Sequence, residues 1–382
     1  HILIGAYTET LRLMQQVGVD AERSLLRMPL TLRFADGGGL QLPALPAPLD
    51  VLAGVLTARG WLWRDKWALL HTAAAWQRAG FACGAQATVA ELCRTLTPRA
   101  MDELIEPLCV SALNMPAHAA SGAVFLRVLR DALFGVRGGS RLLLPRTDLG
   151  RLFPEAAAQW LTHQGATLRP NRRVRTLAPT PQGWTVDDEP FSQVVLACPP
   201  WEAARLAEAT ALSGGNDRAH AAHATDWART AAALHHTAIA TIYAQAPAQT
   251  RLPQPMMALR SNTEQPAQFV FDRGQLGGPA GLLAFVVSAS NGMREELERQ
   301  VLAQASSQLK LTNLQALQTV VEKRATFACT PNLVRPSMNI ALGLWACGDY
   351  VQGPYPATLE GAVRSGLAAA QALMKSSPSV YG

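Results

Sequence analysis

The chain has 382 residues, of which 49% are apolar and only 16% charged, with a formal net charge of +6. This length is enough to bury a substantial core and predicts a soluble globular protein of two domains. The basic residues are scattered rather than arranged in a stripe, and no RNA- or DNA-binding motif is present, which argues against nucleic acid as a partner. None of the six cysteines forms a C-x-x-C pair, so a zinc ribbon is not indicated and a reducing, cytoplasmic compartment is favoured.

Four of the nine tryptophans lie close together in a region, residues 6–136, that is predicted to be mostly helical. The four are Trp61, Trp63, Trp67 and Trp76. They are mixed with Arg and Lys and follow an apolar stretch, a composition typical of helices that lie in a membrane interface. We therefore expect peripheral membrane contact through residues 45–78. A helical pair that buries these rings in its core is the commoner alternative.

An α/β block follows between residues 137 and 200. A helix is predicted from Pro154, a favourable first-turn residue, to Gly165, a favourable C-terminal stop. Residues 174–179 and 183–186 are predicted to form a β-pair around a Pro-Gln-Gly turn, and residues 194–200 a buried strand. An ordinary α/β unit without any ligand would account for the same pattern.

Strand-like runs separated by turn residues occupy much of the region from 201 to 320. They lie at 240–245, 256–260, 268–274 and 282–288. Their spacing predicts an antiparallel sheet. The next segment, residues 292–309, has charged residues on one side at helical spacing and is predicted to be an amphipathic helix.

His220 and His223 have the spacing of one helical face, with Asp226 nearby. A metal site needs three or four converging ligands and an ordered second shell. The surrounding segment is polar and rich in alanine, so we interpret these histidines as solvated and predict no metal site.

The most informative stretch runs from residue 342 to residue 374. It predicts a strand at 342–347, then Gly348 and Asp349, a proline-containing loop and a helix capped by Thr358. The first three amides of that helix would lack intrahelical partners and could attract an anion or a polarised carbonyl. Gly348 allows close approach of the backbone, and Asp349 could accept hydrogen bonds from sugar hydroxyls. The spacing alone is equally consistent with an ordinary capped strand–loop–helix.

The same stretch resembles the C-terminal flavin-binding signature of the amine oxidase and phytoene desaturase superfamily. It is most similar to one branch, the squalene-associated FAD-dependent desaturases, whose characterised activity is hydroxysqualene dehydroxylation. The similarity extends to residues 1–20, 114–135, 142–161 and 268–290. The resemblance implies an α/β fold in which a Rossmann-like FAD-binding domain is interleaved with an α+β substrate domain.

The resemblance also implies how the chain is divided. It assigns residues 1–5, 137–200 and 335–382 to the FAD-binding domain, and residues 6–136 and 201–334 to the substrate-binding domain. The family begins with a strand, a G-x-G-x-x-G turn and a helix that holds the FAD pyrophosphate, and no such motif occurs here. We therefore expect a truncated chain that lacks this N-terminal βαβ unit, roughly fifty residues of the family pattern.

Site residues follow from the family motif, position by position. Val174 matches the valine whose backbone contacts the adenine end, and Ala197 matches the strand end beside the cofactor. Asp349, beside Gly348, would bond the ribityl chain. The residues that would lie along the isoalloxazine ring are Pro356, Ala357, Thr358 and Leu359. The counterpart of His1 lies in the loop that reaches the flavin, which makes His1 a candidate for the active site, while the catalytic proton donor stays unassigned.

The resemblance predicts an FAD-dependent oxidoreductase that reduces hydroxysqualene to squalene in bacterial hopanoid precursor synthesis, using hydride from reduced flavin. Its substrate would be a lipophilic C30 isoprenoid, and the electron donor is not identified by the sequence. Two alternatives stay open: another flavin desaturase or amine oxidase of this fold, and a cofactor-free module that binds isoprenoids or membranes. The predicted location is cytoplasmic, at the inner face of the cytoplasmic membrane if residues 45–78 contact lipid.

Overall fold

The computed structural model describes residues 2–45, 48–213 and 218–376, and side chains within these ranges except those of 211–220 and 376. The chain forms two compact units. The first comprises the residues up to Trp160 together with His236–Asn332, and the second comprises Leu161–His235 together with the residues from Leu333 onward. Each unit is assembled from separate parts of the sequence, so the predicted interleaved α/β architecture is confirmed.

The strands are short except at the centre of one sheet. In chain order they are β1 (Leu3–Ile4), β2 (Leu25–Met28), β3 (Thr31–Arg33), β4 (Gly39–Gln41), β5 (Leu142–Pro145), β6 (Leu177–Thr180), β7 (Gly183–Val186), β8 (Glu189–Phe191), β9 (Val194–Leu196), β10 (His236–Gln245), β11 (Met256–Ala258), β12 (Phe269–Asp272), β13 (Leu282–Ser290), β14 (Gln315–Phe327), β15 (Asn339–Ala341) and β16 (Leu344–Ala346).

Helices account for most of the remaining regular structure. They are α1 (Thr8–Gln16), α2 (Ala21–Ser24), α3 (Leu49–Leu56), α4 (Trp63–Arg78), α5 (Val89–Leu92), α6 (Pro98–Ala100), α7 (Glu106–Leu113), α8 (Gly122–Phe134), α9 (Leu149–Leu152), α10 (Pro154–His163), α11 (Pro200–Ser213), α12 (Arg218–Ala232), α13 (Arg294–Leu309) and α14 (Leu359–Ser376). A π-helical turn (Met101–Ile105) joins α6 to α7, and a 3₁₀ turn (Arg273–Leu276) follows β12.

The first unit is built around an antiparallel sheet with the strand order β11-β12-β13-β10-β14. The sheet predicted from the strand-like runs is therefore confirmed. Helix α13 covers it with Leu297, Val301 and Ala305, which recur every four residues and are almost completely buried. Burying one such Leu or Val side chain contributes about 1.5–3 kcal/mol to stability.

Strand β14 was not predicted, although it pairs with β10 over most of its length. Its middle contains the charged run Glu322, Lys323 and Arg324, and much of the strand is exposed. A strand at the edge of a sheet buries only part of one face, so its sequence lacks the apolar alternation that identifies strands.

The second unit contains the parallel pair β9 and β16, with β15 antiparallel at the edge. The predicted strand at 342–347 begins later in the structure because Gly343, at φ +73°, forms the turn between β15 and β16. A separate sheet is formed by β6, β7 and β8. The predicted β-pair is therefore present, but β6 begins at Leu177, because the amides of Arg175 and Thr176 donate to the Asp187 carboxylate instead of a strand partner.

The helices of the second unit vary in how they are buried. Helices α11 and α12 pack against each other, and both carry buried alanines, among them Ala207 and Ala228. Helix α14 carries apolar residues at helical spacing, yet along it Val363, Gly366 and Leu367 are only half-buried and Met374 is exposed. This face of α14 is therefore more open than its amphipathic pattern predicts.

The two units differ from the predicted domains in their boundaries. Residues 137–160 lie in the first unit, and residues 201–235 lie in the second. The assignment of an FAD-binding role and a substrate-binding role to the predicted ranges stays a prediction. Within the ranges that the structure describes, no helix has both the length and the apolar character needed to cross a bilayer.

Candidate functional site

Two predicted site segments follow the ends of the parallel strands β9 and β16. Ala346 is paired with Leu196, and the amide of Cys347 donates to the Leu196 carbonyl at 3.0 Å. Ala197 and Gly348 therefore leave the sheet at the same edge. The carboxyl ends of parallel strands are where open α/β sheets bind their ligands.

Gly348 connects this strand end to the last helix. Its amide donates to Ser365 Oγ of α14 at 2.9 Å. Its φ of +155° and its closeness to Tyr350 leave no room for a side chain, since a Cβ atom would lie 2.6 Å from the Tyr350 ring. The sequence predicted that glycine allows close approach of the backbone here, and in the structure the group that approaches is the Tyr350 ring.

Asp349 is half-buried rather than exposed to bulk solvent. Burial raises the pKa of its carboxyl group, while the amides of Asp349 and Tyr350 and the charge of Arg335 act in the opposite direction. A carboxylate in such a partly desolvated position forms stronger hydrogen bonds to hydroxyl groups than one in water. Asp349 is thus suited to accept hydrogen bonds from a ligand.

The loop before α14 is held directly against Asp349. The amide of Ala357 donates to the Asp349 carbonyl at 3.3 Å. Ala357 itself has φ +57°, a left-handed conformation that costs a non-glycine residue about 1–2 kcal/mol. Such strain persists only where the surrounding structure imposes it, and it is concentrated at functional sites.

Thr358 caps α14 as predicted. Its Oγ1 atom accepts a hydrogen bond from the Gly361 amide at 2.9 Å and donates one to the Tyr355 carbonyl at 2.9 Å. Of the three amides expected to lack intrahelical partners, that of Gly361 is therefore satisfied by the cap and is not available to a ligand. Leu359 is exposed at the first position of the helix, where an amide has no intrahelical partner.

Val174 lies in the loop before β6, half-buried beside a basic pocket of about 690 Å³. Besides Val174, the pocket is lined by Asn171, Arg172, Arg173, Arg175, Asp187 and Arg205. Arg205 of α11 donates to the carbonyl of Val174 at 3.0 Å and to that of Arg175 at 3.2 Å. Asp187 lies 3.8 Å from Arg172, and Glu202 pairs with Arg173 and, at 2.9 Å, with Arg205. The four arginines outnumber these two carboxylates, so the pocket keeps a net positive charge.

The structure thus brings most of the predicted site residues together within the second unit. Ala197, Gly348 and Asp349 share one sheet edge, and the loop of Pro356, Ala357 and Thr358 joins them through the bond from Ala357 to Asp349. Val174 is placed by Arg205 on α11, the helix that follows Ala197 in the chain. His1 lies outside the described residues.

Sequence reasoning missed three side chains that support this site. They are Ser365, which accepts from Gly348; Arg205, which holds Val174; and Arg335, whose charge acts on Asp349. Ser365 is a polar residue among the apolar positions of α14, a signal that could have been used. Nothing in the sequence connects Arg205 with Val174, because they are distant in the chain.

No metal site is evident in the described part of the chain, where no group of three or more potential ligands converges. His223 is exposed, and Asp226 forms an ion pair with Arg229 at 2.9 Å. The side chain of His220 lies outside the described residues.

The chain matches known proteins along its length. A model of the flavin containing amine oxidoreductase family matches residues 1–374. A hydroxysqualene dehydroxylase from Rhodopseudomonas palustris is 28% identical over 302 residues, covering 72% of this chain and 62% of the relative. One from Sinorhizobium fredii is 27% identical over 298 residues, covering 70% and 61%. The chain therefore spans less than two thirds of the length of these curated relatives.

Solved structures support the fold. Cyclohexylamine oxidase from Brevibacterium oxydans superposes with a TM-score of 0.58 at 14% identity, covering 98% of this chain and 86% of that one. At this identity the likeness shows the fold alone. Together with the family match, it confirms the predicted flavoprotein fold and FAD as the family's cofactor. The chain belongs to the family of flavin-containing amine oxidoreductases.

Proposed function

We propose that this protein is an FAD-dependent oxidoreductase that reduces hydroxysqualene to squalene, a step in the synthesis of hopanoid precursors. Two relatives that bear the name hydroxysqualene dehydroxylase support the reaction. The observation that carries the cofactor assignment is the half-buried Asp349, which is bonded through its backbone to the strained Ala357 at the edge of two parallel strands.

The donor and acceptor groups at this edge fit FAD. The Asp349 carboxylate would accept hydrogen bonds from the ribityl hydroxyls. Pro356–Leu359 and the first turn of α14 would lie along the ring, where the helix dipole favours the electron-rich end of the flavin. Val174, which lines the basic pocket, would contact the adenosine end. Ala197 would lie beside the cofactor at the end of β9.

Bound in reduced form, FAD supplies a hydride for reduction of a carbon centre. In the overall reaction the C–OH bond of the substrate is replaced by C–H, and the hydroxyl group leaves with a proton as water. The residues of this chain bind and orient. Asp349 would hold the ribityl chain and the loop around Ala357 the ring. The hydrogen bond from Gly348 to Ser365 fixes the end of β16 against α14. We assign no side chain as the proton donor.

The proposal is tested with the protein expressed from its full coding sequence. Bound flavin gives an absorption band at about 450 nm, which tests the cofactor before any substrate is added. Anaerobic incubation of the chemically reduced protein with hydroxysqualene should then yield squalene, measured by gas chromatography and mass spectrometry. Phytoene and primary amines are tested in separate assays with the oxidised protein in the presence of oxygen, because their oxidation requires oxidised flavin and an electron acceptor.

Each outcome distinguishes a different function. Squalene formation with no turnover of phytoene or amines supports the proposal. Turnover of phytoene or amines alone would instead identify a desaturase or an amine oxidase of the same fold. Failure to retain flavin after reconstitution would support a cofactor-free binding module and would refute the enzyme assignment.

A further inference from the structure

A cluster of large apolar side chains lies exposed on the first unit, along helices α3 and α4. Trp63 and Trp67 are the most exposed, at 74% and 72%. We refer to the whole cluster as the α3–α4 surface, and it comprises Leu45, Leu49, Leu52, Leu56, Leu62, Trp63 and Trp67. Large apolar side chains exposed together on a folded protein indicate an interaction site.

Spacing and contacts indicate that the two helices contribute to one continuous surface. Leu49, Leu52 and Leu56 lie on one face of α3, and Trp63 and Trp67 lie on one face of α4. Lys66 joins the two faces: its Nζ atom donates to the Leu56 carbonyl at 2.6 Å and lies 5.5 Å from the centre of the Trp63 ring. The end of α3 is therefore held beside the first turn of α4.

The other two tryptophans of this segment have a different role. Trp61 is 6% exposed, and its Nε1 atom donates to the buried Glu103 carboxylate at 2.8 Å. Trp76 is buried as well. Trp61 and Trp76 thus occupy core positions, as the alternative of a helical pair with buried rings predicted. The exposure of Trp63 and Trp67 agrees with the expected contact with a membrane interface.

The exposed charges within residues 48–78 are all positive, and the nearest exposed carboxylate outside this stretch that shares a pocket with one of them is Asp102, beside Arg64. Both carboxylates within residues 48–78 are buried: Asp50 accepts from the Val51 amide, and Asp65 accepts from the Leu62 amide. The basic side chains of the same stretch lie at or near the surface, namely Arg59, Arg64, Lys66 and Arg78. An outward face that is apolar and positively charged is complementary to an anionic lipid surface.

We propose that the α3–α4 surface docks this protein onto the surface of an anionic phospholipid bilayer. Tryptophan and leucine would enter the interfacial layer, and Arg59, Arg64 and Lys66 would contact lipid phosphates. The helices lie on the bilayer and do not cross it. The inference rests on the exposure and charge of these helices and is independent of the reaction proposed above.

Sedimentation with lipid vesicles tests the proposal. The protein is mixed with vesicles of phosphatidylcholine alone or with phosphatidylglycerol added, and the bound fraction is measured after centrifugation. We expect binding to the anionic vesicles that decreases with salt. Trp63→Ser combined with Trp67→Ser should weaken the partition coefficient by at least about tenfold, because each ring removes a large apolar area from the interface. Arg59→Gln with Arg64→Gln should reduce the preference for anionic vesicles.

A matched control removes two exposed apolar side chains elsewhere in the same unit. Leu317→Ser combined with Val320→Ser, on strand β14, should leave vesicle binding unchanged. Circular dichroism verifies that every variant is folded. Equal binding by the tryptophan double variant and the wild type would overturn the proposal. The proposal would also be overturned if the wild type did not bind vesicles and was a dimer that the tryptophan replacements converted to a monomer. A second copy of the chain would then cover this surface.

Discussion

The amide of Gly348 donates a hydrogen bond to Ser365 Oγ at 2.9 Å, which joins the end of strand β16 to the middle of helix α14. The two segments that carry the proposed flavin contacts, Asp349 on one side and the loop before α14 on the other, are thereby held in one arrangement. Ser365 contributes to the site through Gly348 and not by touching a ligand. It is a positioning residue.

Replacing Ser365 with Ala removes the acceptor of this bond. Loss of one partly buried hydrogen bond should destabilise the protein by about 1 kcal/mol and lower its melting temperature. FAD affinity, measured by quenching of flavin fluorescence on titration, should fall as well. Ser111→Ala is the matched control, since the Ser111 hydroxyl bonds only to the Leu108 carbonyl of its own helix. Equal effects of the two replacements would contradict the positioning role.

Asp349 should reduce the stability of the cofactor-free protein. Burial raises the pKa of its carboxyl group in the folded state. The folded protein therefore binds the proton more tightly than the unfolded chain does. Proton binding stabilises the fold at low pH, and this stabilisation is lost as the pH rises through the folded pKa. Asp349→Asn should accordingly raise the melting temperature at pH 7 to 8 and bind FAD more weakly.

The pH dependence separates this effect from a general change in packing. The difference in melting temperature between Asp349→Asn and the wild type should shrink as the pH is lowered toward the unfolded pKa of Asp, about 3.9. Scanning calorimetry at several pH values measures it. A variant less stable than the wild type at neutral pH would show that Asp349 stabilises the folded chain and that the cost of its burial is small.

Two glycines of α14 should respond in opposite directions to replacement by Ala. At Gly361 a Cβ atom would lie 1.9 Å from the Tyr355 carbonyl oxygen, so the loop that contains the cap must move. At Gly366 nothing lies within 4 Å of the corresponding position. We expect Gly361→Ala to destabilise by about 1–3 kcal/mol through overpacking and Gly366→Ala to stabilise by up to about 1 kcal/mol.

Urea denaturation of both glycine variants provides the measurement, and each is the control for the other. Because the Gly361 replacement displaces the loop around Ala357, it should also weaken FAD binding. A Gly361→Ala variant as stable as Gly366→Ala would mean that the Tyr355 loop adjusts freely and does not form a fixed cradle.

Arg205 should affect the adenosine end of FAD selectively. Arg205→Gln removes the two hydrogen bonds that hold the Val174 and Arg175 carbonyls, about 1 kcal/mol each, together with the ion pair to Glu202 at 2.9 Å, and we expect roughly tenfold or more weaker binding. FAD should bind correspondingly less tightly, whereas FMN, which lacks the adenosine half, should bind as it does to the wild type. Arg229→Gln, at an exposed ion pair on α12, is the control. An equal loss of affinity for FAD and FMN would contradict the assignment of Val174 to the adenosine end.

Features that depend on neighbours in the chain could be predicted from the sequence. Helix α10 begins at Pro154 as expected, α13 lies within two residues of its predicted start, and Thr358 caps α14 through Gly361, three positions on. The predicted strands of the antiparallel sheet were found because buried strands carry dense apolar runs. Strand β14 was missed, because at the sheet edge its Glu322, Lys323 and Arg324 face solvent.

By itself, the sequence determined the α/β class, the helices α10, α13 and α14 with the cap of the last, and the resemblance to flavoproteins. The helices and the cap are encoded in spacing over a few residues. The tertiary structure decided which residues meet. It separates Trp61 from Trp63, neighbours of almost identical local composition, by burying one against Glu103 and exposing the other. It brings Arg205 to Val174 and Ser365 to Gly348. Burial and long-range pairing depend on which surfaces fold against each other, and no local pattern of side chains carries that information.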